Sequence, residues 1–222
     1  MRWGLDLTHP LAVVTPTLDG GVLGVLALAD AEFTSGQVHR ILAGPSPRGV
    51  MKALERLTDQ GIVLRHQAGR TYLYRLNREH LAAPHIIALA NQRSTLLERL
   101  AQVTNAWLIK PVFGAVFGSA TRADHTVESD IDLFLVHADD FDEQAWSDQT
   151  GLLAEKVFGW TGNDARVLNF TKSDVLSRVG REPVLDEIAN EGLVFVGEPN
   201  WLRTLIRTAR KETPKALKGR SR

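Results

Sequence analysis

The feature that most constrains this chain is a pair of apolar, strand-like runs around a polar turn. Val112–Phe117 leads into Gly118-Ser119, and after a polar gap a second run opens with Asp130-Ile131-Asp132 and continues to Val136. Side chains in a strand alternate faces, so residues two apart share one. Asp130 and Asp132 are therefore expected to point the same way, with Ile131 and Leu133 turned into a core. Adjacent carboxylates repel unless a positive charge stands between them. A divalent ion such as Mg²⁺ (or Mn²⁺), which takes oxygen ligands and bridges to phosphate, is the common solution. The Gly118-Ser119 turn would present backbone N–H groups to a triphosphate, especially if Ala120 starts a helix.

Gly118-Ser119, Arg122 and Ser129-Asp130-x-Asp132 together resemble the DNA polymerase beta-like nucleotidyltransferase superfamily, and more narrowly its minimal and antibiotic-modifying members. The resemblance spans roughly residues 108–197, with its motif residues in the first third. It implies transfer of a nucleoside monophosphate from an NTP to an acceptor, here an unidentified protein or RNA. It also implies that Asp130 and Asp132 are catalytic metal ligands and that Gly118 and Ser119 cradle phosphates. Arg122 either steadies phosphate charge or pairs with Asp124 or Glu128, and Ser129 contacts the nucleotide or only orients the loop. His125 and Thr126 read as loop surface. The pattern departs from the superfamily at one point. Active members bring a third carboxylate from the neighbouring strand, and that slot falls on Leu168, or on Asn169 after a shift of one. Neither accepts a proton, and Asp164, which with Arg166 shares a face with Leu168, is a distant stand-in. A slow or specialised enzyme, or a domain that only binds nucleotide, follows.

Upstream, Thr34-Ser-Gly-Gln37 has the form of a capping box. Ser46-Pro47 opens a second helix that Gly61 stops, with Val50, Leu54 and Leu57 inward and Arg48, Lys52 and Arg56 outward. Two alternating runs, Ile62–Leu64 and Thr71–Leu76, flank Arg65–Arg70, which reads as a hairpin loop. This order resembles the winged helix-turn-helix family. The resemblance implies double-stranded DNA as partner, with Arg48, Lys52 and Arg56 along the major groove and Arg65 and Arg70 on phosphate. A homodimer on a palindrome would strengthen binding. Met1–Gly21, broken by prolines and Gly20-Gly21, reads as an irregular lead-in. Pro84–Asn105 reads as one long connecting helix, either a dimer seam or packing for the next domain.

The expected architecture is thus α+β in two domains. Residues 1–80 form the winged helix and 81–106 a connecting helix. Residues 107–200 form a small mixed-sheet nucleotidyltransferase-like domain with helices on one face, and 201–222 a basic helix and disordered tail. Net charge is +0, yet residues 111–202 hold 17 acidic against 6 basic side chains and residues 203–222 hold 1 against 8. The tail is either an electrostatic arm or a solubilising end, and it could also fold back on the acidic domain. With no cysteine, no membrane-length apolar run and no visible signal peptide, a cytoplasmic location is expected. A role in a toxin–antitoxin pair is an analogy with related systems.

Overall fold

Local capping decides where the first helices begin. The computed structural model describes residues 4–122 and 125–212. The Thr34 hydroxyl accepts from the Gln37 N–H while the Gln37 side chain takes the Thr34 N–H, and α2 (Ser35–Leu42) follows. The Ser46 hydroxyl accepts from Gly49, Pro47 holds the first position of α3 (Pro47–Asp59), and Gly61 (φ +78°) turns the chain away. Ahead of them α1 (Leu18–Leu28) already contains Gly20 and Gly21, where an irregular lead-in was expected. A Cβ on Gly20 would meet the Thr15 carbonyl oxygen at 2.6 Å, so the glycine serves close packing rather than a break.

The chain divides into two compact units, His9–Thr95 and the segment through Thr8 joined with Leu96 onward. In the first, β1 (Phe33–Thr34), β2 (Val63–Ala68) and β3 (Thr71–Leu76) form an antiparallel sheet in the order β1-β3-β2. β2 runs on to Ala68, so Arg65–Ala68 belongs to the hairpin's strand and the turn is only Gly69-Arg70, with Gly69 at φ +61°. Polar side chains hid this strand because both its faces are exposed beyond Val63. Val22, Leu26, Val38, Val50, Leu54, Leu57 and Tyr74 fill the core beneath.

The expected long helix is two. α4 (Ala83–Ala90) ends at Asn91 (φ −91°, ψ 16°), whose side-chain amide donates to the Ile87 carbonyl, and α5 (Gln92–Asn105) follows. Ile86, Leu89 and Ala90 pack into the first core, whereas Leu96, Leu97, Leu100 and Val103 pack into the second unit. A single apolar stripe in the sequence therefore serves two cores.

In the second unit β4 (Phe113–Phe117), β5 (Ile131–His137), β6 (Ala165–Thr171) and β7 (Leu193–Val196) form one mixed sheet in the order β6-β5-β4-β7, parallel only between β5 and β6. Ile131, Leu133 and Leu135 face a core with α5 and α6 (Glu143–Thr161). Phe134 and Val136 face another, with α7 (Lys172–Arg178), α8 (Pro183–Glu191) and α9 (Trp201–Glu212). Helices thus cover both faces where one was expected, because every interior position of β5 is apolar on either side after Asp132. The basic C-terminal segment enters this second core through Leu202 and Ile206, and Arg210 pairs with Asp186 at 2.7 Å, so its first half does fold back on the acidic domain. The disorder expected beyond Lys211 falls, from residue 213 on, outside the described residues. Leu5 and Leu7 also join this unit: Leu5 donates to the Thr161 carbonyl at 2.8 Å, and Leu7 is buried.

Candidate nucleotide site and DNA-binding face

The site forms where β4 and β5 meet at one edge of the sheet. Phe117 lies opposite Asp132, and the chain leaves β4 through Gly118 at φ +71°. A Cβ on Gly118 would lie 2.5 Å from Asp132 Oδ2. Glycine is therefore required twice, for the backbone sign and for the carboxylate beside it. Gly118–Thr121 forms a single 3-10 turn, not the start of an α-helix, and the Thr121 hydroxyl closes it onto the Gly118 carbonyl at 2.8 Å. Any phosphate cradle here therefore comes from turn amides without a helix dipole.

Asp132, in β5, and Asp130, just before it, share the face of Phe134 by alternation. Burial raises the Asp132 carboxyl above its ordinary value. Arg166 opposes that rise, the charges of Asp130 and Glu187 add to it, and Arg122 again lowers it. A folded-state pKa above the unfolded one means that folding binds protons in that window, so stability falls as pH climbs through it. Asp132→Asn should therefore raise the melting temperature at neutral pH. The gain should fade on acidification through the carboxylate range, and thermal melts across pH check this.

Arg122 donates to Glu187 at 2.6 Å and lies 3.6 Å from Glu191, both on α8. As ion-pair partners, the alternative to phosphate, the sequence offered Asp124, which lies outside the described residues, or Glu128. The Ser129 hydroxyl accepts from the Thr126 N–H at 3.0 Å and the Ser129 carbonyl takes the Asn163 side chain at 2.9 Å, so this residue orders the loop. His125, expected on the surface, is buried, and its Nδ1 accepts from the Leu7 N–H at 3.3 Å. The N-terminal segment, far away in sequence, returns onto it through Leu7 and Thr8. Thr126 is exposed.

The neighbouring strand supplies no acid. Leu168 packs in the core with α7–α9, and Asn169 accepts the Trp146 indole N–H at 3.2 Å. Asp164 is exposed, and its carbonyl receives the Ile131 N–H. The residue level with Asp132 on β6 is Arg166, not Leu168 or Asn169, and its guanidinium meets Asp130 at 2.5 Å. Among the described residues no three His, Cys, Asp or Glu side chains gather to hold a metal. Two carboxylates fit one hard cation that arrives with a triphosphate, since Mg²⁺ binds through one or two carboxylates plus phosphates. They do not fit a metal pair.

In the other unit Arg48, Lys52, Arg65 and Arg70 are exposed. Arg56 is exposed too, but its guanidinium is bonded to Asp19 of α1 at 2.5 and 3.2 Å. Arg65, in β2 and not at the hairpin tip, lies 4.8 Å over the Tyr72 ring. Helix, short strand, two helices and a hairpin make this unit a winged helix. Residues 19–105 match the penicillinase repressor family. That is a winged-helix DNA-binding family.

No curated protein matches the chain. Among solved structures it is similar to a chain of a toxin–antitoxin crystallised with AMP-PNP, at 14% identity and TM-score 0.38 over 52% of this chain and 84% of that one. Another is in the complex of a tri-AMPylated Shewanella oneidensis HEPN toxin with its MNT antitoxin, at 14% identity and TM-score 0.37 over 54% and 84%. A third is in the toxin–antitoxin MntA-HepT, at 15% identity and TM-score 0.35 over 53% and 84%. At these values the geometry of the site, not the likeness, bears on function. Among the described residues no helix is long and apolar enough to cross a membrane.

Proposed function

We propose that this chain is a DNA-binding regulator whose second unit takes up a nucleoside triphosphate in a nucleotidyltransferase-like site. One observation carries the reading: a half-buried Asp132 carboxylate lies against the left-handed Gly118 turn, on the same strand face as Asp130. Asp130 and Asp132 would hold one Mg²⁺ or Mn²⁺, which supplies charge neutralisation for the phosphates. The amides of Gly118 and Ser119, with Arg122, would contact the phosphates, and Ser129 would keep the loop in register. On DNA, Arg48 and Lys52 at the start of α3 would approach the bases, and Arg65 and Arg70 the backbone. Arg56 is held by Asp19 and contributes less.

The same pair of carboxylates favours a second reading, transfer of a nucleoside monophosphate to a protein or RNA acceptor, including the partner in a toxin–antitoxin pair. Transfer asks for a group that takes the acceptor's proton, and Arg166, Leu168 and Asn169 provide none.

A fluorescent ATP analogue titrated into the full chain with Mg²⁺ tests both. Binding by wild type and its loss in Asp132→Ala are expected, together with a nucleotide-dependent change in affinity for the DNA upstream of the chain's own gene. Absence of nucleotide binding, or equal binding by Asp132→Ala, overturns the regulator reading. Label transfer from a labelled NTP that Asp132→Ala abolishes would install the transferase in its place.

A further inference from the structure

We propose that Arg166 is an exchangeable counter-ion: it holds Asp130 when the site is empty and moves to the ligand's phosphates when a divalent cation takes Asp130. The proposal rests on the reading of this site as one for a metal-bound nucleoside triphosphate.

The sheet register places the residue. β5 and β6 are parallel with Asp132 beside Arg166, and alternation sends Arg166 to the same face as Asp130 and Asp132. The Arg166 Nη2 to Asp130 Oδ2 contact is 2.5 Å. The partners differ in freedom. The Asp130 side chain is 14% exposed and the Arg166 side chain is 73% exposed. Of the pair, the long arginine is the one able to move. Because the arginine end of the pair stays in water, opening it costs less than breaking a fully buried pair.

Charge and geometry decide what the exchange does. A guanidinium neither ligates a cation nor accepts a proton. Where a third acid would draw in metal, Arg166 competes with metal for Asp130. A lone divalent cation must displace it and gains nothing in return. A cation that arrives with a triphosphate frees Arg166 beside several phosphate oxygens, to which arginine binds strongly. The site therefore discriminates the metal–nucleotide complex from the bare ion, and it retains the nucleotide without a base to consume it. This is the behaviour of a sensor.

The test compares wild type, Arg166→Gln and Asp132→Ala as full chains, using Mn²⁺ alone and Mn²⁺ with a non-hydrolysable ATP analogue. Free Mn²⁺ is read by electron paramagnetic resonance and the analogue by calorimetry. Arg166→Gln should bind bare Mn²⁺ about three- to tenfold more tightly, because a competing charge is gone. It should bind the Mn²⁺–analogue complex about tenfold more weakly, because a charged hydrogen bond to phosphate is lost. Such opposite changes are not expected from mere misfolding, and melts of the exposed-site variant check that the fold is kept. Changes of the same sign, or none, overturn the exchange while leaving the site standing. Failure of wild type to bind the analogue, or undiminished binding by Asp132→Ala, overturns the site itself and the exchange with it.

Discussion

Gly118→Val should abolish nucleotide binding by the second unit and lower its melting temperature. Two independent costs act at one atom. The backbone sits at φ +71°, where a β-branched residue is a genuine outlier. The new Cβ would also stand 2.5 Å from Asp132 Oδ2, so either the turn or the carboxylate must shift. Backbone strain of this sort costs about 1–3 kcal/mol before the collision is added. Gly118→Ala should show the same defect in milder form. The fluorescent-nucleotide titration reads binding, and circular dichroism melts read stability. Tight binding by Gly118→Val would mean that the turn is not where the phosphates go.

On the DNA side, Arg48→Ala/Lys52→Ala should weaken binding by about 30-fold or more, taking roughly 1 kcal/mol or more for each lost contact. Both side chains are exposed near the N-terminus of α3, and among the described residues no bond ties either of them as Asp19 ties Arg56. Arg65→Ala/Arg70→Ala should act differently, with a smaller loss spread evenly over sequences and a shallower dependence on salt, as befits phosphate contacts. Gel shifts over a salt series separate the two patterns. Equal, sequence-independent losses would move the recognition surface off α3.

What could be read in advance was whatever a few adjacent residues decide. Thr34 with Gln37 and Ser46 with Pro47 set two helix starts by local hydrogen bonds, and both stand where the residues put them. The strand alternation that aligns Asp130 with Asp132 is local too. Tertiary pairing was out of reach. The polar run Arg65–Ala68 became strand because β3 offers it a ladder on one side, although its own side chains carry no apolar signal. Ile86 and Leu100 look like one stripe, yet they serve different cores on either side of Asn91. The pairing of Arg166 with Asp130 was not legible, because it comes from the register of β6 on β5, which sets Arg166 and not Leu168 beside Asp132. The burial of His125 depends on a segment more than a hundred residues earlier.

The early strip Leu5–Thr8 has a consequence for biogenesis. Leu5 bonds to the Thr161 carbonyl and to Asn163, and Leu7 donates to His125. The winged helix is thus an inserted module, and Leu5–Thr8 find their berth only after the chain has been made past Asn163. A fragment beginning at residue 96 would be born without part of its own interior.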